Sequence, residues 1–131
     1  MHLEFHHIGI ATQNIAEALK LMSQTGSSKV LTGPVTDPLQ NTTMQMVEWN
    51  GVAIELIAGA GKENPIEHLL KKRINLYHIC YGTDNLKEAL DTLRQQGWLE
   101  VSPSKPAKLF ENKLIMFLYH PVLGLIELLE K

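Results

Sequence analysis

The chain repeats one stretch of sequence at a spacing of 71 residues. The segment HIGIATQNIAEAL, which begins at His7, aligns without a gap with HICYGTDNLKEAL, which begins at His78, and seven of the thirteen positions are identical. A shorter match follows at a spacing of 72 residues, between Ile-Glu-Leu around Glu55 and Ile-Glu-Leu around Glu127. Self-similarity at a fixed spacing predicts that the two halves share one architecture.

Each half predicts a β-strand, a helix and three further strands. Asn14 and Asn85 are candidate N-caps, and the helices are expected at residues 15–24 and 86–96, each with one apolar face. The first strands are expected at 5–11 and 76–82, and the later ones at 29–32, 43–49, 52–57, 99–102, 113–119 and 125–129. Asn50-Gly51, between two alternating runs, predicts a tight hairpin. The predicted fold class is therefore α+β, built from two tandem βαβββ modules.

The length of 131 residues suits one globular domain. Within it we expect a first module at about residues 3–58, a linker helix at about 64–73 and a second module at about 75–131. The linker helix is indicated by Asn64-Pro65-Ile66-Glu67, which offers a cap, a first-turn proline and a capping-box glutamate.

The composition argues against several kinds of partner and location. A net charge of −2 offers no basic surface for nucleic acid or an anionic membrane. The apolar runs fall well short of the roughly 20 residues that a membrane helix needs. The single cysteine cannot form an internal disulfide, and the N-terminus does not resemble a secretion signal. We therefore expect a cytoplasmic protein with a small-molecule ligand.

The repeated histidines and glutamates are the candidate functional residues. Side chains alternate across a strand, so His7 shares a face with small residues, and so does His78. Glu55 and Glu127 lie inside strands that are otherwise suited to burial, where a carboxylate needs a partner. A lone strand histidine or glutamate is usually structural or solvated, but folding does not require both types at equivalent places in both halves.

The repetition predicts one divalent metal ion bound by His7, Glu55, His78 and Glu127. Two neutral imidazoles and two carboxylates balance the charge of such an ion and leave positions for water or a bidentate substrate. Because no thiolate ligand is involved, Ni, Co, Mn and Zn are all candidates.

Several segments together resemble the vicinal oxygen chelate superfamily, which includes glyoxalases, bleomycin resistance proteins and methylmalonyl-CoA epimerases. They are Phe5-His6-His7-Ile8-Gly9-Ile10-Ala11, Ile54-Glu55-Leu56, Asn64-Pro65-Ile66, Tyr77-His78-Ile79-Cys80 and Gly124-Leu125-Ile126-Glu127-Leu128. The nearest branch is that of the methylmalonyl-CoA epimerases and small bacterial glyoxalases. The resemblance implies that the modules curl into an open barrel around the metal, commonly in a homodimer, and that the metal chelates two neighbouring substrate oxygens and stabilises an enolate.

Three functions fit this resemblance. The first is an isomerase that epimerises an acyl-CoA or acts on another thioester or α-oxo compound, the second is a lactoylglutathione lyase, and the third is a metal-free binding or resistance protein. Metal-free binders do not need the two carboxylates. Glutathione-dependent glyoxalases typically have an arginine four residues after the first histidine, where this chain has Ala11, and its two arginines, Arg73 and Arg94, offer no obvious substitute. The epimerase is therefore preferred.

Two glutamates are candidates for the catalytic base. The resemblance implies that Glu127 can leave the metal and take the substrate proton, although the pseudo-twofold arrangement leaves Glu55 open for the same role. If Asn50-Gly51 forms a two-residue turn, Glu48 pairs with Ala53 and shares the face of Glu55, which makes Glu48 the second candidate. Lys105 and Lys108, in a candidate lid loop, could meet a phosphate of a CoA-like substrate, although a solvated loop is the simpler interpretation.

Overall fold

The computed structural model describes all 131 residues, which form ten β-strands and three α-helices. Contacts divide the chain into two units. The N-terminal unit comprises His7–Tyr77, and the C-terminal unit comprises His78–Lys131 together with Met1–His6. None of the helices combines the length and apolar character needed to cross a membrane. That both modules act as one domain over residues 1–131 stays a prediction.

The N-terminal unit contains the first helix and the strands that surround it. Strand β1 (Glu4–Ala11) belongs to this unit from His7 onward. The other elements are α1 (Ile15–Gln24), β2 (Ser28–Val30), β3 (Val35–Asp37), β4 (Thr42–Trp49), β5 (Val52–Gly59) and α2 (Pro65–Lys71). Strand β5 pairs in parallel with β1 and antiparallel with β4, which in turn pairs with β2 and β3.

The C-terminal unit repeats this arrangement. Strand β6 (Leu76–Thr83) belongs to this unit from His78 onward. The other elements are α3 (Leu86–Gln95), β7 (Leu99–Glu100), β8 (Lys105–Ala107), β9 (Lys113–His120) and β10 (Gly124–Glu130), with a 3₁₀ turn at Lys108–Phe110. Strand β10 pairs in parallel with β6 and antiparallel with β9, and β9 pairs with β7 and β8. The α+β class and the repetition of one architecture in both units are confirmed.

Each unit has one short strand more than the sequence analysis predicted. These strands are β3 and β8, of three residues each, and β8 lies in the segment that was interpreted as a lid loop. Pro106 cannot donate to a strand ladder, so the segment lacks a strand signal of its own. It becomes a strand because β9 offers a pairing edge.

The long helices begin at the predicted asparagine caps and cover one face of each sheet. The Asn14 and Asn85 side chains each accept a hydrogen bond of 3.0 Å from the backbone N–H three residues later. Helix α1 packs on Val47, Ile54 and Leu56, and α3 packs on a cluster that includes Leu118 and Leu128. We call the covered side of each sheet its helix face.

The opposite side of each sheet is defined by strand register, and we call it the site face. In the N-terminal unit, Glu55 pairs with Gly9 on one side and with Met46 on the other. In the C-terminal unit, Glu127 pairs with Cys80 and with Phe117. Because side chains alternate along a strand, His7 lies on the site face with Glu55, and His78 lies on the site face with Glu127.

The two hairpins that carry these glutamates differ by one residue. Trp49 pairs with Val52, so Asn50 and Gly51 form the predicted two-residue turn, with φ values of 49° and 83°. In the C-terminal unit His120 pairs with Gly124, which leaves a loop of three residues. This extra loop residue accounts for the change in repeat spacing from 71 to 72.

The first residues of the chain are held by the last one. The Lys131 ammonium group donates a hydrogen bond to the Glu4 carboxylate, and the Lys131 backbone N–H donates to the carbonyl of Thr83. This hydrogen bond and the positive charge of Lys131 hold the pKa of Glu4 below its ordinary value. Met1–His6 are thus part of the C-terminal unit.

Candidate functional site

The N-terminal unit holds one buried histidine–glutamate pair. His7 is 0% exposed and Glu55 is 2% exposed. The Nε2 atom of His7 lies 3.7 Å from Oε1 of Glu55. Strand β1 and strand β5 bring the two side chains together because they are parallel neighbours, with Gly9 opposite Glu55.

The C-terminal unit holds an equivalent pair. His78 is 3% exposed and Glu127 is 2% exposed, and Nε2 of His78 lies 3.6 Å from Oε1 of Glu127. Strands β6 and β10 are again parallel neighbours. The structure therefore builds the same side-chain pair twice, by the same strand geometry.

The geometry of each pair suits two ligands of one cation. A separation of 3.6–3.7 Å is longer than an ordinary nitrogen–oxygen hydrogen bond. Two ligand atoms that each lie about 2.1 Å from a metal ion are roughly 3.0–3.4 Å apart at octahedral or tetrahedral angles. Burial of a carboxylate beside an imidazole also calls for a positive charge. Each pair can therefore supply two ligands after a small adjustment.

Two residues that the sequence analysis did not single out border the glutamates. Met46 lies directly opposite Glu55, and Phe117 lies directly opposite Glu127. The Phe117 ring also meets the His78 imidazole edge-on, with ring centroids 5.4 Å apart. The two-residue turn at Asn50-Gly51 would have predicted the position of Met46, since it fixes the whole β4–β5 register.

Glu48 lies on the site face of the N-terminal unit, as the predicted turn requires. It pairs in register with Ala53 on β5 and with Lys29 on β2. In contrast to Glu55, it is exposed to solvent. The role of Glu48 as a base stays a prediction.

The arginines do not replace the missing arginine at Ala11. Ala11 itself is fully buried on β1. Arg94 is exposed on α3, where it forms ion pairs with Asp91 and Glu100. Arg73 is also exposed, in the turn after α2. Neither arginine therefore belongs to a strand of the N-terminal site face.

A model of the glyoxalase/bleomycin resistance protein/dioxygenase superfamily matches residues 6–117 of the chain. Among characterised proteins, the chain is similar to the ethylmalonyl-CoA/methylmalonyl-CoA epimerase of Cereibacter sphaeroides. The two are 26% identical over 118 residues, which cover 88% of this chain and 87% of the relative.

Solved structures share the fold over almost the whole chain. A hypothetical protein from Bacillus halodurans superposes with a TM-score of 0.85 and 26% identity, covering 100% of this chain and 96% of the other. The methylmalonyl-CoA epimerase of Streptomyces coelicolor, in complex with 2-nitronate-propionyl-CoA, superposes with a TM-score of 0.80 and 22% identity, covering 99% of each chain.

Proposed function

Because the chain belongs to the glyoxalase/bleomycin resistance protein/dioxygenase superfamily, we propose that it is a metal-dependent epimerase that moves a proton at the carbon next to a carbonyl group. The observation that carries the proposal is the buried histidine–glutamate pair, built once in each unit. A fold alone does not need this pair twice.

The proposed ligands of a single divalent ion are His7, Glu55, His78 and Glu127. Bound there, the ion would supply Lewis-acid stabilisation of the negative charge that develops on the substrate oxygen. The chain itself keeps the ligands buried, which strengthens electrostatic interactions at the site. Contact with Phe117 restricts the orientation of the His78 ring, so the imidazole is oriented before the ion binds.

Glu127 is the proposed base. Its carboxylate would take the proton from the carbon beside the carbonyl, breaking the C–H bond, and the electron pair of that bond would be left in an enolate. A second group would then donate a proton to the opposite side of that carbon, so epimerisation needs a base on one side of the substrate and a proton donor on the other. Glu55 and Glu48 are the candidates for the second position, since both lie on the site face of the N-terminal unit.

The proposed substrate is an acyl-CoA with an acidic hydrogen next to its thioester. The Cereibacter relative is an epimerase of ethylmalonyl-CoA and methylmalonyl-CoA, and the Streptomyces structure contains a CoA ligand. The fully buried Ala11 supports this choice over a lactoylglutathione lyase, because the side of β1 that carries His7 has no cation there for a glutathione carboxylate. A homodimer remains a proposal that rests on the family resemblance, and a cytoplasmic location and a single domain remain proposals that rest on the sequence.

The test follows proton exchange in deuterated water. Metal-loaded protein is incubated with methylmalonyl-CoA, and separately with the methylglyoxal–glutathione hemithioacetal, and NMR monitors each substrate. We expect loss of the α-proton signal of methylmalonyl-CoA without glutathione. Conversion of the hemithioacetal with no exchange on any acyl-CoA would instead identify a lyase.

A further inference from the structure

Two lysines lie on the site face of the C-terminal unit, and we propose that they form an anion subsite for the substrate. They are Lys105 in β8 and Lys113 at the start of β9. The anion would be a carboxylate of the acyl group or a phosphate of CoA, which offer the same oxygen chemistry. This inference rests on the proposed acyl-CoA function and names the residues that select the charged part of such a substrate.

The strand register places both lysines on the same face as Glu127. Lys105 pairs with Ile115, and Lys113 pairs with Ala107. Ile115 and Ala107 belong to a buried cluster with Cys80 and Leu129, which is separate from the cluster beneath α3. Because directly opposed residues of an antiparallel pair project to the same side, the lysine stems start from the site face.

Neither lysine is used by the fold as an ion-pair partner. Lys105 is half-buried and Lys113 is exposed, and neither side chain forms an ion pair or a hydrogen bond. Among the residues that strand pairing places on this face, Glu127 is the one that is acidic. Two ammonium groups that have no counter-charge within the chain are available to an anion that comes from outside it.

The N-terminal unit serves as an internal control for this argument. Its equivalent pairs are Val35 with Met44 and Asp37 with Thr42, in the same strand geometry. Val35 thus occupies the position of Lys105, and Thr42 occupies the position of Lys113. The same strand pairing therefore forms in the N-terminal unit with no lysine at either position.

The two lysines also lie close enough to Glu127 for one ligand to reach both Glu127 and a lysine. Glu127 pairs with Phe117, so Ile115 is two residues and Lys113 four residues away along β9. With a rise of about 3.4 Å per residue, these offsets are roughly 7 Å and 14 Å along the strand. The flexible four-carbon stem lets either ammonium group approach a ligand that extends from the Glu127 position.

Binding measurements with three thioesters test the subsite. Lys105→Met, Lys113→Met and the double variant are compared with wild type by calorimetry, each loaded with Ni²⁺. The ligands are malonyl-CoA, which carries both anions, malonyl-pantetheine, which keeps only the carboxylate, and propionyl-CoA, which keeps only the phosphates. The control is Lys87→Met, an exposed lysine of α3 on the other side of the sheet.

We expect the double variant to bind malonyl-CoA about tenfold more weakly, with an unchanged Tm and unaltered binding by Lys87→Met. Weakening of both malonyl ligands but not of propionyl-CoA assigns the carboxylate, and weakening of both CoA ligands but not of malonyl-pantetheine assigns a phosphate. Equal affinity of wild type and double variant for all three ligands overturns the subsite.

Failure of the proposed function is a separate outcome of this experiment. If the wild type binds no thioester, the acyl-CoA assignment fails, whatever the lysines do. The subsite is then tested by titrating malonate and pyrophosphate into the wild type and the double variant, with the NMR signals of residues around Phe117 as the measure of binding. Weaker binding by the double variant still supports an anion subsite, and equal binding overturns it.

Discussion

The Phe117 ring meets the imidazole of His78 edge to face, with centroids 5.4 Å apart and ring planes at 83°. Phe117 is also the residue directly opposite Glu127. One aromatic side chain therefore contacts one member of the C-terminal pair and neighbours the other. The first prediction concerns this ring.

We expect Phe117→Leu to weaken metal binding by about threefold to tenfold, because an edge-to-face contact contributes about 0.5–1.5 kcal/mol and His78 would lose its fixed orientation. Competition with a fluorescent chelator measures the affinity. Tyr119→Leu is the matched control, since Tyr119 lies two residues further along the same face. Equal affinities of the two variants would show that the ring does not position His78.

The second prediction concerns the metal itself. Purified protein should contain about one divalent ion per chain by elemental analysis, and a chelator should lower its Tm. His7→Ala, Glu55→Ala, His78→Ala and Glu127→Ala should each reduce the occupancy, because each substitution removes one of the four proposed ligands. His68→Ala, an exposed histidine of α2, should leave it unchanged. Full occupancy in all four variants would rule out the proposed ligand set.

The third prediction distinguishes the candidate bases. Replacing Glu by Gln keeps the shape and one oxygen donor but removes the proton acceptor. With metal occupancy confirmed, Glu127→Gln should slow α-proton exchange in deuterated water by at least about 100-fold, and more than Glu55→Gln does. Exchange at the wild-type rate in Glu127→Gln would move the role elsewhere, and Glu48→Gln would then be measured next.

The fourth prediction concerns the buried carboxylate at the end of β3. The Asp37 side chain is 1% exposed, and it accepts hydrogen bonds of 3.0 Å from the Leu39 backbone N–H and the Gln40 side chain. Asp37→Ala should lower the free energy of unfolding by about 1–3 kcal/mol, because two hydrogen bonds to a buried carboxylate are lost. Urea denaturation measures the change. Asp37→Asn keeps an acceptor oxygen and should cost less, so an equal loss in both variants would point to the charge instead.

The fifth prediction concerns pH. The hydrogen bond and the charge of Lys131 lower the pKa of Glu4 from its ordinary value of 4.5. A carboxyl group with a lowered folded pKa stabilises the protein above its unfolded pKa, and this contribution is lost as the pH falls through the folded pKa. Lys131→Met should therefore return the pKa of Glu4 toward 4.5 in an NMR titration, whereas Lys87→Met should not change it.

Much of the fold could be predicted because local signals and tertiary structure agree. Helix α1 has the predicted bounds, and α3 ends one residue earlier than expected. Asn50-Gly51 predicted the β4–β5 register, and with it the shared face of Glu48 and Glu55. The pairing of histidine with glutamate within each unit follows from strand alternation together with the repeat.

The rest depends on contacts that a local pattern does not encode. Strands β3 and β8 exist because β4 and β9 offer a pairing edge, and β8 contains a proline that hides it. The contact of Phe117 with His78 needs the β6–β10–β9 strand order, which joins residues far apart in the sequence. The site-face location of Lys105 likewise depends on its pairing with Ile115.

The division of β1 between the two units has a consequence for synthesis on the ribosome. The N-terminal unit is complete once Tyr77 has emerged, so β1 from His7 onward can pair with β5 while the remainder is still being translated. Met1–His6 cannot, since their contacts are with residues translated last, Lys131 among them. The first six residues to be synthesised are therefore expected to be among the last to reach their native positions.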